Sequence, residues 1–484
     1  MTTKTGILRA VLVASVFGLL ASCQGETTGD ADAGGEAGAG TGGSTQSTGG
    51  GNTGGDEPGG GTGGEALGGA GGTESTGGSS LGGFAGSGTG GTATGGSEGI
   101  PEDAFVTVWK TDAEPVFAGY GEGYRELVPA TDEVTIVLPL VDEGTYDFSV
   151  AWGDGSTGVV TAADDPDRTH IYAQPGDYTV VITGTIEGWH FEDTSDGIDG
   201  PKLLEIQQWG TFAFTETWGT FANAANLVIT AEDIPDLSGT TTLASAFENC
   251  VVLEQVPNVE QWNISGVTDL GGMFAGAQAF DQALAAWDVS NVTDMRYMFA
   301  GATVFDGDVS TWDVGNVENM ENMFEGADTF NQDVSDWDVS NVTNMVWMFH
   351  SASAFNQDLS TWNVSNVTRM AYMFANADTF NQDISGWDVS SVTSMEGMFN
   401  GASSFDQSLG EWQIPALTQA TTMLNSSGLS TANYDALLMG WAGQTTKNNV
   451  LFGAQSIKYS AAAQAARGTL VGRGWTITDG GLAP

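Results

Sequence analysis

The sequence predicts an α/β solenoid of 25-residue coils, and three observations carry that prediction. Tryptophan recurs at Trp262, Trp287, Trp312, Trp337, Trp362, Trp387 and Trp412, each 25 residues after the last. A Met-Phe pair keeps step from Met273-Phe274 to Met398-Phe399, and Phe280, Phe305, Phe330, Phe355, Phe380 and Phe405 follow six residues after each pair. Within a unit the apolar spacing changes character. Val309, Trp312, Val314 and Val317 read as a strand with apolar residues on either side of Asp313, because strand side chains alternate faces. Met320, Met323, Phe324 and Ala327 then fall at i, i+3, i+4 and i+7, one face of a short helix. A fixed period of this length means one supersecondary unit, stacked so that neighbours bury each other's apolar side. Strands are expected on the inner wall and helices outside, with Ser290-Asn291, Ser340-Asn341 and Ser365-Asn366 capping the helices.

Residues 1–22 read as an export signal: Lys4 and Arg9 precede an apolar run from Ala10 to Leu20, too short to span a bilayer. The run ends in Leu20-Ala21-Ser22-Cys23, which resembles the lipobox of bacterial lipoproteins. The resemblance implies that Cys23 becomes the lipidated N-terminus, anchored in the membrane by acyl chains. Gln24 beside it resembles the residues of lipoproteins sent on to the outer membrane. Residues 23–100 are almost entirely Gly, Ser, Thr, Ala and acidic residues after Cys23, so a disordered Gly-rich tether is expected.

Residues 101–200 turn to β pattern, and a small all-β sandwich is expected there. Val134 to Leu140 and Tyr146 to Trp152 are apolar or alternating, and Asp154-Gly155 marks a hairpin. Trp152-Gly153-Asp154-Gly155, His170-Ile171-Tyr172 and Gly176-Asp177-Tyr178-Thr179-Val180 are together similar to the PKD-type module of bacterial surface proteins. In such modules the Asp and His form turns and pack, so Asp154, His170 and Asp177 are not expected to be catalytic. Residues 201–428 hold the repeats, with Trp209 to Phe221 and Pro235 to Phe247 as loosened first units. Residues 429–484 are expected to form an α/β cap, with helices near 429–442 and 460–470.

Composition narrows the function. With 12 basic against 61 acidic residues the net charge is −49, which excludes nucleic acid as a partner. Cys23 and Cys250 are the only cysteines, too few for a disulfide framework, and His170, His190 and His350 have no metal-ligand spacing. The polar ladders carry the remaining information. Asp288, Asp313, Asp338, Asn363 and Asp388 each follow a repeat tryptophan, and Asp308, Asp333, Asp358 and Asp383 form a second row. Such rows suit either a Ca²⁺ or partner-binding stripe, or Asx turns at coil corners. The second reading is preferred, because no dense calcium loop is present. No cofactor is expected, with Ca²⁺ as the alternative.

The unit from Phe330 to Phe349, F-N-Q-D-V-S-D-W-D-V-S-N-V-T-N-M-V-W-M-F, resembles the BspA-like family. These are bacterial surface proteins with 25-residue leucine-rich-like repeats, also known as a mycoplasma-type domain of unknown function. The resemblance implies a cell-surface protein, some relatives being adhesins for host matrix proteins, and it transfers no catalytic residue. Gly315, Glu318, Ala283 and Ser408 depart from the repeat pattern and interrupt a continuous metal row. The expected function is a non-enzymatic binding or adhesion protein, lipid-anchored in the bacterial cell envelope, probing a protein or glycan partner from the outer surface. The expected partner face is Asp288, Asp313, Asp338, Asn363 and Asp388, with Thr311, Asp336 and Thr361 beside them. The alternative is a structural envelope or cell-cell spacer. A carboxylate-based glycan hydrolase is a third reading, which nothing in the repeat pattern marks with a pocket.

Overall fold

Ten strands open the structure: β1 (Phe105–Lys110), β2 (Val116–Ala118), β3 (Arg125–Leu127), β4 (Thr135–Val137), β5 (Leu140–Ala151), β6 (Thr157–Val160), β7 (Thr169–Ile171), β8 (Asp177–Trp189), β9 (Leu203–Gln208) and β10 (Val228–Ile229). This computed structural model describes residues 99–191, 199–215 and 218–484, so the leader, Cys23 and nearly all of the Gly-rich tract lie outside the described residues. Six strands form one sheet in the order β10-β9-β1-β8-β5-β6, with β2-β3 and β4-β7 as separate pairs. Alternation sets the faces. Tyr146, Phe148 and Val150 of β5 are buried while Asp147 and Ser149 between them are exposed. Phe105, Trp109, Ile136, Leu138, Ile182 and Trp189 share the resulting core.

The hairpin between β5 and β6 turns at Gly153 (φ +84) and Gly155 (φ +94). A side chain at Gly153 would meet the Thr179 carbonyl oxygen at 2.6 Å, so glycine is required there on two counts. The sheet does not stop at residue 200. Strand β9 pairs with β1, β10 extends it in parallel, and Trp209 stacks on Phe105, so one core runs from the sheet into the first repeat units.

Successive units then stack. Parallel single-residue bridges join Thr242, Asp269, Asp294, Asn319, Asn344, Arg369, Ser394 and Gln419 in one ladder. Inside it Phe274, Phe299, Phe324, Phe349, Phe374 and Phe399 lie ring on ring at 5.6–5.9 Å. Phe221 and Phe247 extend the pile through the loosened units, 5.8 Å apart and 5.7 Å from Phe247 to Phe274. The repeat tryptophans are buried, and from Trp287 to Trp412 each indole is fixed to the coil before it, while the Trp262 N–H has no such partner. The Trp312 N–H donates to the Leu284 carbonyl (2.9 Å), Trp337 to Val309 (3.2 Å) and Trp362 to Val334 (2.9 Å). A buried indole N–H needs such a partner, and here it fastens two coils together.

The expected α/β solenoid is not what these coils build. Among the described residues the α-helices are α1 (Thr431–Gly443) and α2 (Gln464–Gly472), both beyond the repeats, and strands, turns and short 3-10 segments such as Val259–Gln261 make the rest. Hydrogen bonding explains the difference. Met295, Tyr297, Phe299 and Gly301 donate to carbonyls of the next coil at 2.6–3.1 Å, while Met298, Ala300 and Ala302 close turns on the residue three before (3.0–3.3 Å). A helix needs every N–H aimed four residues back along its own chain, and alternate groups here leave the coil. Left-handed residues at Tyr297 (φ +59) and Gly301 (φ +69) break any helix twice per unit. The i, i+3, i+4 pattern therefore marks tight turns that bury Met320, Met323, Phe324 and Ala327 without a helix.

Two further expectations fall with it. Val309, Trp312, Val314 and Val317 are buried but lie outside any strand, and the bridge of that unit is at Asn319. Asn291, Asn341 and Asn366 cap no helix. Their amides donate to Ser265, Gly315 and Ser340 carbonyls of the preceding coil at 2.7–2.9 Å.

At the far end the ladder widens into a parallel sheet of β11 (Gln419–Ala420), β12 (Leu451–Ala454) and β13 (Thr476–Asp479). Helix α1 starts at Ser430, whose hydroxyl accepts the Asn433 N–H, and covers the last coil. Trp441 on α1 donates to the Leu409 carbonyl (3.2 Å), taking the part that a coil tryptophan plays elsewhere. Arg467 of α2 meets Asp479 of β13 at 2.7 Å and lies over the Tyr459 ring, locking this end.

Candidate functional site

The residues expected to form the partner face are all exposed, and their chemistry is local. The carboxylate or amide oxygen after each tryptophan accepts the backbone N–H two residues on. Asp288 takes Ser290 (3.2 Å), Asp313 takes Gly315 (3.1 Å), Asp338 takes Ser340 (3.0 Å), Asn363 takes Ser365 (3.3 Å) and Asp388 takes Ser390 (3.0 Å). Thr311 and Thr361 donate to the Ala285 and Ser335 carbonyls of the coil before, both at 2.6 Å, and Asp336 is exposed beside them. Asp308, Asp333, Asp358 and Asp383 make the same turn with Ser310, Ser335, Ser360 and Ser385. Both rows are chains of Asx turns. Among the described residues no three His, Cys, Asp or Glu side chains are grouped to hold a metal ion.

These turns have an electrostatic signature. The serine hydroxyl, then its N–H, hold Asp288, Asp338 and Asp388 below the ordinary carboxylate range. A carboxyl lowered on folding contributes stability above its unfolded value of 3.8, and that contribution is lost as pH falls through the lower folded value. Asp338→Asn keeps the acceptor that Asn363 already uses and removes the titration. The variant is expected to match the parent within about 0.5 kcal/mol at pH 7. It should lose less stability than the parent between pH 7 and pH 3, which urea titrations at the two pH values will read.

One cluster has the composition of a catalytic trio. His170 Nε2 lies 2.9 Å from Asp154 Oδ2 and 3.2 Å from Ser156 Oγ, and the Ser156 hydroxyl donates to Asp154 Oδ1 at 2.6 Å. In a proton relay the carboxylate and the hydroxyl meet opposite nitrogens of the imidazole. Here both meet Nε2, so no relay exists. Burial acts to raise Asp154, but the Ser156 and His170 hydrogen bonds outweigh it and hold the carboxyl at about 2. His170 also stacks on Trp152 at 5.0 Å, and Asp177 is elsewhere, 3.6 Å from Lys110. The cluster fastens a hairpin.

A cavity of about 440 Å³ opens where the loop from Gly119 to Tyr124 meets the first coils. Tyr120, Trp218 and Tyr297 supply aromatic walls, and Glu248, Asp269 and Arg296 the charged groups. Tyr120 and Tyr297 touch with ring centroids 6.2 Å apart. The Arg296 Nε is paired with Asp294 Oδ2 at 3.3 Å. The coil path makes the space. Gly271-Gly272 form the floor at the place where sister coils carry Arg296-Tyr297, Glu321-Asn322, Val346-Trp347 and Ala371-Tyr372. The loop seats closely because Gly301 lacks a Cβ, which would overlap Tyr120 Cβ. Burial, then the neighbouring Glu248, Tyr297 and Glu325, push the Tyr120 phenol well above its usual range.

Residues 241–356 and 332–437 match the family model described as Mycoplasma protein of unknown function, DUF285. The match begins beside the first bridge of the ladder and ends within helix α1. No curated protein and no solved structure matches the chain. Tyr120 and Trp218 lie outside the matched residues, so the cavity joins repeat coils to parts of the chain that precede them.

Sequence reasoning missed this cavity, though a signal was present. One column of the repeat reads Gly272, Tyr297, Asn322, Trp347, Tyr372 and Gly397 while the Met and Phe columns that follow it hold constant. Non-glycine residues there have positive φ, as at Trp347 (+61) and Tyr372 (+57), which is uncommon for bulky side chains. A column that is variable, aromatic and left-handed is set by its surface and not by the core.

Proposed function

We propose that the chain is a surface-tethered bacterial lipoprotein that acts as a non-enzymatic binding or adhesion protein through its repeat stack. Lipid on Cys23 would anchor it in the outer membrane, and residues 23–100 would carry the folded part away from the head groups. The observation that carries the reading is the contrast between the two sides of the coil. Buried positions repeat the same aromatic ladder, while the outward column of Tyr297, Trp347 and Tyr372 and the exposed corners from Asp288 to Asp388 present a long, patterned surface. Stacked repeats use such surfaces to hold extended partners. The match to a mycoplasma protein family of unknown function fits a repeat-containing surface protein.

The spacer reading has one observation in its favour: the corner carboxylates already have partners within their own turns. Protease shaving of intact cells separates the two locations that matter. Release of residues 101–484 from unbroken cells is the expected result and places the stack outside. Release only after the outer membrane is opened would make the protein periplasmic, and the adhesion reading would fall.

A further inference from the structure

We infer that the cavity walled by Tyr120, Trp218 and Tyr297 over the Gly271-Gly272 floor binds a small organic cation of the alkylammonium class. The inference rests on the reading of this chain as a binding protein and names a ligand class for one of its surfaces. Three independent features converge on it. The walls are aromatic, and aromatic faces attract ammonium groups through their quadrupole, most strongly for tryptophan. Trp218 is 60% exposed, an unusual state for so large an apolar side chain, and it faces a cavity of ligand size.

Charge selects among ligands that aromatic walls would accept. Glu248 and Asp269 line the cavity, and the adjoining hollow on the other side of Tyr120 holds Glu325 together with Arg125. Among the described residues the single lining cation, Arg296, is turned to Asp294. The protein as a whole carries −49, so small cations are concentrated at its surface and anions repelled. A neutral sugar would stack on the same rings and donate hydroxyls to the carboxylates, but it would lack the Coulombic attraction that a cation gains there.

Space comes from the sequence itself. Gly272 (φ +64) stands where the next coil has Tyr297 (φ +59) in the same left-handed conformation. The backbone at 272 therefore accepts a tyrosine, whose Cβ would press on the Ser245 hydroxyl at 3.2 Å and whose ring would fill the cavity. This supplies a blocking variant.

The test is isothermal titration of the purified full-length chain in detergent with choline and with its neutral isostere, 3,3-dimethylbutan-1-ol. Saturable choline binding is expected, with the isostere at least about tenfold weaker. Trp218→Ala and Gly272→Tyr are each expected to weaken choline at least about tenfold while leaving the melting curve in place. Equal binding of the isostere, tighter binding of cellobiose, no saturation by choline or tetramethylammonium, or unchanged binding by both variants would overturn the proposal. Should Trp218→Ala fail to fold, Gly272→Tyr decides the matter alone. Absent choline binding with the stack still shaved from intact cells removes the ligand and keeps the surface reading. Choline binding with protection from shaving does the reverse.

Discussion

Replacing Trp337 by alanine is expected to destabilise the protein by about 3–5 kcal/mol, the range for deleting a large buried aromatic. Trp337 is 3% exposed, and its ring lies 6.1 Å from Trp312 and 6.5 Å from Trp362. Truncation opens a cavity, ends three ring contacts, that with Phe324 included, and leaves the Val309 carbonyl without its indole donor. Because each coil touches only its neighbours, the damage is concentrated at one seam and should divide the stack into halves that unfold separately. Urea unfolding of the variant is expected to show a second transition, and limited proteolysis to cut near residue 337. Trp337→Phe keeps the ring and should cost less than half as much. A loss below about 0.5 kcal/mol for alanine would show that the ladder does not hold the coils together.

The second large effect is expected at Lys202. It is 1% exposed, and its ammonium donates to the carbonyls of Thr131 (3.1 Å), Asp132 (2.6 Å) and Thr135 (2.9 Å) and to the Thr131 hydroxyl. Asp199 lies 3.7 Å away and is itself buried. Burial pushes the Lys202 pKa down, opposed by Asp199 and Asp132. Lys202→Met fills the volume but strands several acceptors and one carboxylate, a loss of about 3–5 kcal/mol for breaking a buried pair from one side. Adding Asp199→Asn should restore part of it if the uncompensated charge is the main cost. Equal stability of the single and double variants would assign the whole effect to the carbonyls. Thermal melting of the parent, single and double variants measures this directly.

The two residues differ in how far the sequence announced them. Trp337 was legible as core because its period survives any local conformation: a residue recurring every 25 positions must meet its copies in a stack. Local backbone was not legible. Met320, Met323 and Phe324 share a side in a helix and equally in a run of tight turns, and the choice depends on handedness at Asn322 and Gly326, both at positive φ. Asn and Gly hint at that handedness in one coil, but Tyr297, Trp347 and Tyr372 conceal it in others. The corner residues from Asp288 to Asp388 were recognisable as turn formers, since an Asx side chain bonds to its own backbone without help from afar. Lys202 and the cavity were invisible, because Thr131 and Tyr120 reach them from strands and loops some 70 or more residues upstream.

The bridge ladder has a consequence for how such a protein changes over time. From Asp269 to Gln419 every rung joins the next by the same contact at the same spacing. Unequal crossing-over between two copies of the underlying 25-codon unit would remove or add whole rungs and rejoin identical surfaces. Length is thus a quantity that recombination can dial in steps of one coil, while the sheet at one end and the helical lid at the other stay as they are. Kin of this chain need not share its height to share its architecture, and the length of the stack can drift without a single residue of its core being replaced.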